Sequence, residues 1–192
     1  MLKRVLLSAT MAVPLASCLS FGTEPPEQLL TLTPVRSAQA GFAADASAAS
    51  ALAVLEPGTD QRHNVTRVPV RTSDSSLAYL KDAVWVERPS RLFQDLLAET
   101  IRSKGNRLVV REDDLGQNAG TTLSGRLLNM GYDVATASVV VGYDAILQLP
   151  EGQVRTRRFE SRIPAAAEVA AVGPALNQAA NEVADQVADW VG

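Results

Sequence analysis

The feature that most restricts this chain is its single cysteine, Cys18, together with the residues in front of it. Lys3 and Arg4 form a short basic start, the run from Val5 to Ala16 is apolar apart from Ser8 and Thr10, and Leu15-Ala16-Ser17-Cys18 closes it. A basic start, a short apolar centre and small residues at the cleavage point make an export signal, and the run falls short of the ~20 residues a membrane span needs. Leucine, two small residues and cysteine at that spacing mark a lipoprotein signal. The Cys18 thiol takes a diacylglyceryl group, the chain is cut after Ser17, and the freed amine of Cys18 is acylated. With about 0.8 kcal/mol gained per buried methylene, two or three acyl chains anchor a protein lastingly. With its one thiol consumed, the chain has no disulfide available, so the remainder must fold in an oxidising compartment by packing alone.

Residues 1–17 are thus the signal peptide, and the mature chain is a tethered extracytoplasmic domain. In a Gram-negative cell, Leu19 in place of an aspartate after the lipidated cysteine removes the usual inner-membrane retention signal. The expected location is therefore the outer membrane, facing the periplasm. The chain has 192 residues, which leaves one domain of ordinary size with its own core. At 46% hydrophobic and 20% charged the composition is globular, and no second apolar run is long enough to cross a bilayer. The net charge of −3 becomes −5 once the signal takes Lys3 and Arg4 with it and no acid. No basic field remains to attract nucleic acid.

Residues 18–27, with Gly22, Pro25 and Pro26, read as an extended tether to a domain over 28–192. Leu29 to Thr33 is a first strand ended by Pro34, and 37–50, almost all Ala, Ser and Gly around Phe42, is a flexible loop. Ala51 to Leu55 is a short strand before the turn at Pro57-Gly58. Val65, Val68 and Val70 mark a strand that Pro69 restricts to an edge or a bulge, and Leu77 to Val86 is another, irregular near Lys81-Asp82. Leu92, Phe93, Leu96, Leu97 and Ile101 form a helical stripe about 100° wide that Gly105 ends. After a strand at Leu108 to Val110, the stretches 121–132, 137–149 and 154–163 read as an antiparallel meander. Tyr143, Ala145 and Leu147 alternate there with Asp144 and Gln148. Gly173-Pro174 opens a final helix with Leu176, Ala180, Val183, Val187, Trp190 and Val191 on its apolar side. The expected fold is α+β: a mixed, mainly antiparallel sheet with two amphipathic helices packed on it.

Val68-Pro69-Val70-Arg71, Leu77-Ala78-Tyr79-Leu80, Trp85-Val86-Glu87 and the Leu92-Phe93-Gln94 helix, between the lipobox and the alanine-rich last helix, carry a resemblance. They look like the ABC-type transport auxiliary lipoprotein family, which includes paraquat-inducible protein C-like lipoproteins. Gln28 to Pro34 resembles the family's opening strand without its aromatic pair. The resemblance implies a mixed sheet carrying helices and a role beside MCE-type transport systems. Those systems move lipids between the inner and outer membranes with an ABC ATPase, a permease and a periplasmic MCE-domain protein.

Candidate catalytic chemistry is sparse. One histidine and an acylated cysteine cannot build a metal cluster, and no cofactor motif is present. His63, in a polar turn, reads as solvated, and no serine has a histidine partner elsewhere in the chain. Neither Lys81 nor Lys104 has the surroundings of a nucleophile. Glu112-Asp113-Asp114 reads as a solvated loop run, and Trp85 and Tyr79 as core or sheet-face residues. The expectation is a non-enzyme: an outer-membrane lipoprotein held by the acyl chains on Cys18, which assists an MCE-type ABC lipid transporter by contact with its periplasmic MCE-domain protein. Two rivals stand beside it: a lipid carrier with its own apolar cavity of roughly 300 Å³ or more, and a scaffold for envelope assembly. The sequence neither supports nor denies a homo-oligomer.

Overall fold

A computed structural model describes residues 28–44, 46–105, 108–111 and 119–192; Ser17, Cys18 and the tether lie outside them, as do Glu112, Asp113 and Asp114. Among the described residues the elements are β1 (Leu52–Val54), β2 (Arg67–Arg71), β3 (Leu77–Val84), α1 (Pro89–Ser103), β4 (Val109–Arg111), β5 (Thr121–Asp133), β6 (Ser138–Gln148), β7 (Val154–Pro164) and α2 (Val169–Val191). They form one mixed sheet with two helices, an α+β fold.

The long strand β5 organises the sheet. One edge pairs antiparallel with β6 over its whole length, and β6 pairs in turn with β7, which gives the expected meander. The other edge is shared. Its first residues pair in parallel with β1, and its last two, Tyr132 and Asp133, pair in parallel with Val70 and Arg71 of β2. β1 also pairs in parallel with β4, and β2 antiparallel with β3. The two long ladders are thus antiparallel, while three short pairings are parallel. β1, paired on both edges, is buried at every residue, as an unbroken apolar run in a parallel pairing should be.

One face of the sheet carries the core. Val139, Val141, Tyr143, Ala145 and Leu147 of β6 all point to it, with Leu123, Leu127 and Met130 of β5. The α1 stripe Leu92, Phe93, Leu96, Leu97 and Ile101 is buried, and Phe93 meets Tyr143 edge-on at 5.4 Å between ring centres. α2 lies on β6 and β7 and against α1, where Ala175, Ala179, Ala180, Ala184 and Ala188 permit close approach beside Leu176, Val183 and Val187. Leucine-sized groups buried this way each stabilise the fold by about 1.5–3 kcal/mol. The opposite sheet face carries Arg126, Asp144, Arg158, Glu160 and Arg162, and no described element covers it.

Two sequence expectations change, and for β2 one of two alternatives is selected. Leu29 to Thr33 does not form a strand: a single parallel bridge joins Leu30 to Trp85, after which side chains of α2 take over the main-chain bonds. β2 is not an edge, since it lies between β3 and β5; it is bulged, with a register shift between Arg67 and Pro69. α2 begins at Val169, not at Gly173-Pro174, because the Glu168 carbonyl already accepts from Ala171 and Val172 and because Val172 is fully buried. Pro174 therefore sits inside the helix at the cost of one main-chain bond. Other expectations match. Asp82 adopts φ 59° at the predicted irregularity in β3, and Gly105, at φ 73°, ends α1.

Candidate functional site

The cleavage and lipidation residues, Ser17 and Cys18, lie outside the described residues, so the site is built from the chain that leads from them. Residues 30–38 form a strap across the helix pair, bent at Val35 and Arg36. Leu30 donates to the Val84 carbonyl (2.7 Å) and accepts from Val86 (2.8 Å). Asn177 and Asn181, one helical turn apart on α2, then take the next groups. Thr33 N–H donates to Asn177 Oδ1 at 2.7 Å, and Val35 N–H donates to Asn181 Oδ1 at 2.8 Å. Asn181 Nδ2 donates back to the Thr33 carbonyl at 2.9 Å. Arg36 reaches Asp185 at 3.4 Å, and Ala38 N–H donates to Glu99 of α1 at 2.8 Å. A carboxamide offers one acceptor and one donor side by side, as a peptide group does, so two asparagines replace a neighbouring strand. The sequence signal for this was an amide pair at i and i+4 in an alanine-rich helix.

A second device lies on the free stretch of β5 between its β1 and β2 pairings. The loop 55–66 supplies bonds there without being a strand. Leu55 and Gly58 donate to Leu123 and Gly125, and Leu127 donates to Gly58. Past the bulge between Leu127 and Asn129, side chains substitute. Arg62 Nη2 donates to the Leu128 carbonyl at 2.9 Å, and Met130 N–H donates to His63 Nε2 at 3.1 Å. His63 is therefore not solvated: it is 1% exposed, with its proton on Nδ1 donated to Asp60 at 2.9 Å. Burial holds its pKa below the ordinary imidazole value against the opposing pull of Asp60. Burial raises Asp60, but its contacts with His63 and Arg62 outweigh that, and its pKa falls below the usual carboxylate value.

Among the described residues, hollows open at the surface in three places that bear on the site. One, of about 310 Å³, lies on the uncovered sheet face among Arg62, Arg71, Asn129, Asp133, Val140 and Arg162. Arg71 donates to the buried Asp133 at its floor, and the Ala135 amide donates to the same carboxylate at 3.0 Å. A second, also about 310 Å³, runs beside the strap and is lined by Val35, Thr100, Asn177, Asn181 and Asp185. A third, about 350 Å³, lies between Leu32, Pro34 and the α1 residues Asp95, Glu99 and Arg102. The first is mainly polar, while the second exposes more apolar than polar surface, around Val35 and Pro174.

Lys104 is clasped by Asp185 (3.0 Å) and Asp189 (2.7 Å), and its bond to Asp189 leads the contacts that raise its pKa, the reverse of what activates an amine. Lys81 is exposed. Trp85 is buried in the core, and Tyr79 lies half-buried on the open sheet face beneath Arg67, whose guanidinium is 4.1 Å from the ring centre. Among the described residues no three His, Cys, Asp or Glu side chains are grouped to hold a metal ion, and no helix is long and apolar enough to cross a membrane.

Comparison with known proteins adds to this geometry. A crystal structure of a Xanthomonas campestris protein superposes with a TM-score of 0.72 at 19% identity, covering 85% of this chain and 94% of that one. A crystal structure of an uncharacterized protein superposes with a TM-score of 0.66 at 16% identity, over 75% of this chain and 93% of that one. These likenesses concern the fold. A Caulobacter crescentus structure described as a putative lipoprotein shares 13% identity over 72% of this chain and 90% of that one, at a TM-score of 0.35. No curated protein matches the sequence. The family model for the ABC-type transport auxiliary lipoprotein component matches residues 31–188, nearly all of the described domain. The chain belongs to that family of auxiliary lipoproteins.

Proposed function

We propose that this protein is an outer-membrane lipoprotein that serves an MCE-type ABC system moving lipids between the inner and outer membranes, and that it works by protein contact, without catalysis. The observation that carries the reading is the family match over residues 31–188. The lipobox supports it from the other end: acyl chains on Cys18 hold the domain within one tether length of the bilayer. Tethering raises the effective concentration of the domain near a periplasmic MCE-domain protein, so weak contacts suffice.

The carrier reading requires an apolar cavity able to enclose an acyl chain. The space between sheet and helices is filled by side chains such as Phe93, Tyr143, Leu97 and Leu176, and the three hollows are open to the surface rather than enclosed. This favours docking over carriage. The test is chemical cross-linking in intact cells, then affinity purification from detergent extracts. Recovery of an MCE-domain protein with its permease and ATPase is the expected result. Recovery of cell-wall enzymes without any MCE-domain protein supports the scaffold reading and overturns this one.

A further inference from the structure

The outer edge of β7 is a long free strand edge. Among the described residues β7 pairs only with β6, in unbroken register from Val154 opposite Gln148 to Pro164 opposite Ser138. A row of main-chain N–H and C=O groups therefore faces outward, which is the standing template for an added strand. The other edges are blunted by shape: β3 is broken by the positive φ of Asp82 and the register shift against β2, and β4 is three residues long. β7 carries no bulge, and its only guard is charge.

That charge is not all neutralised. Arg158 is held by Asp144 and Arg162 by Glu160 at 2.9 Å. Arg155 and Arg157 are exposed and have no acidic partner among the described residues. Instead, the Arg155 guanidinium lies 5.4 Å from the ring centre of Trp190 and that of Arg157 lies 5.1 Å from Phe159. Aromatic faces orient a guanidinium and leave its charge intact. Two positions apart on one strand, both arginines stand on the same side, the side that α2 covers.

We infer that this edge is the docking site for an extended acidic segment of a partner protein, which adds to the sheet beside β7 and places carboxylates at alternate positions over Arg155 and Arg157. Main-chain bonds supply the attachment, and the paired charges select the sequence and register. A second copy of this chain is a poor occupant, because two β7 strands paired about a two-fold axis bring their arginine-rich edges together, and like charges across strands are destabilising. The inference deepens the contact reading above and rests on it.

The test uses the full lipidated protein in nonionic detergent and a fluorescent, end-blocked eight-residue peptide of alternating glutamate and threonine. Anisotropy should show saturable binding, weakened at least tenfold by Arg155→Glu together with Arg157→Glu. The milder pair Arg155→Gln and Arg157→Gln should weaken it less, with unchanged melting temperature as the check that both variants fold. Methylating alternate peptide nitrogens along one edge should abolish binding in one of the two registers. No saturation, equal binding by the charge-reversed protein, or binding that survives methylation in both registers overturns the inference; the last would mean charge attraction without strand addition. Because no transport component is present, such a failure stays distinct from a failed purification of MCE partners.

Discussion

His63 and Met130, 67 residues apart, are joined by a hydrogen bond in which the Met130 amide donates to Nε2 of the buried ring at 3.1 Å. The bond sits where the β5 ladder slips register, so an imidazole stands in for a missing strand. An amide donor and a protonated Nε2 cannot share this place.

Stability should therefore depend on pH through this ring. The folded-state pKa lies below the ordinary value of 6.5, burial being the main cause, so the unfolded chain takes up a proton first. The contribution is present in full above about pH 6.5 and is lost as pH falls through the folded value. Urea unfolding between pH 8 and 5 should show this decline. His63→Ala should lower stability at pH 8 by about 1–3 kcal/mol, since it orphans a buried amide, and should flatten the slope between pH 6.5 and 5. An unchanged slope in that variant would refute the role.

The strap predicts a local effect. Asn181→Ala removes the acceptor for Val35 and the donor to Thr33 at an exposed site, so global stability should fall by only about 0.5–1.5 kcal/mol. Hydrogen exchange of the Val35 amide should speed up markedly, while amides in β6 stay protected. Asn181→Asp keeps the Val35 acceptor and should protect that amide better than alanine does.

Gly131 has no room for a side chain, because a Cβ there would stand 2.3 Å from the Pro69 carbonyl oxygen. The contact lies where β2 docks on β5. Gly131→Ala should force those strands apart and destabilise the fold by about 1–3 kcal/mol, the ordinary cost of overpacking, as thermal unfolding would report. Gly152→Ala, in open space at positive φ, should cost only backbone strain.

For the anchor, Cys18→Ser should yield an uncut precursor without fatty acid, read by mass spectrometry of the purified chain. Normal cleavage after Ser17 with outer-membrane retention in this variant would remove the lipobox assignment.

Periodic patterns were readable wherever one element meets one uniform surface. The three- and four-residue spacing of Leu92, Phe93, Leu96, Leu97 and Ile101 placed α1, and the alternation through Tyr143, Ala145 and Leu147 placed β6, because each side chain's direction is set by local geometry. The turn chemistry at Gly105 and the irregularity at Lys81-Asp82 were legible for the same reason. The expected lipidation of Cys18 also rests on a local motif, and it lies outside the described residues.

Partners distant in the chain decided the rest. Leu29 to Thr33 has the composition of a strand, yet after one bridge from Leu30 to Trp85 the main chain from Thr33 on finds asparagines on α2. His63 reads as solvated beside Asp60 and Arg62, yet the register slip in β5 draws it inward to satisfy an amide that no strand reaches. Pro69 leaves β2 as an edge or a bulged strand, and only the assembled sheet shows that it is the bulged one, with its last residues paired to β5. Sequence alone determined where the chain turns and which side chains seek the core, since those depend on residues a few positions apart. Only tertiary structure decided which main-chain groups were left over and what came to meet them, because hydrogen bonds between remote segments have no periodic trace in the residues that make them.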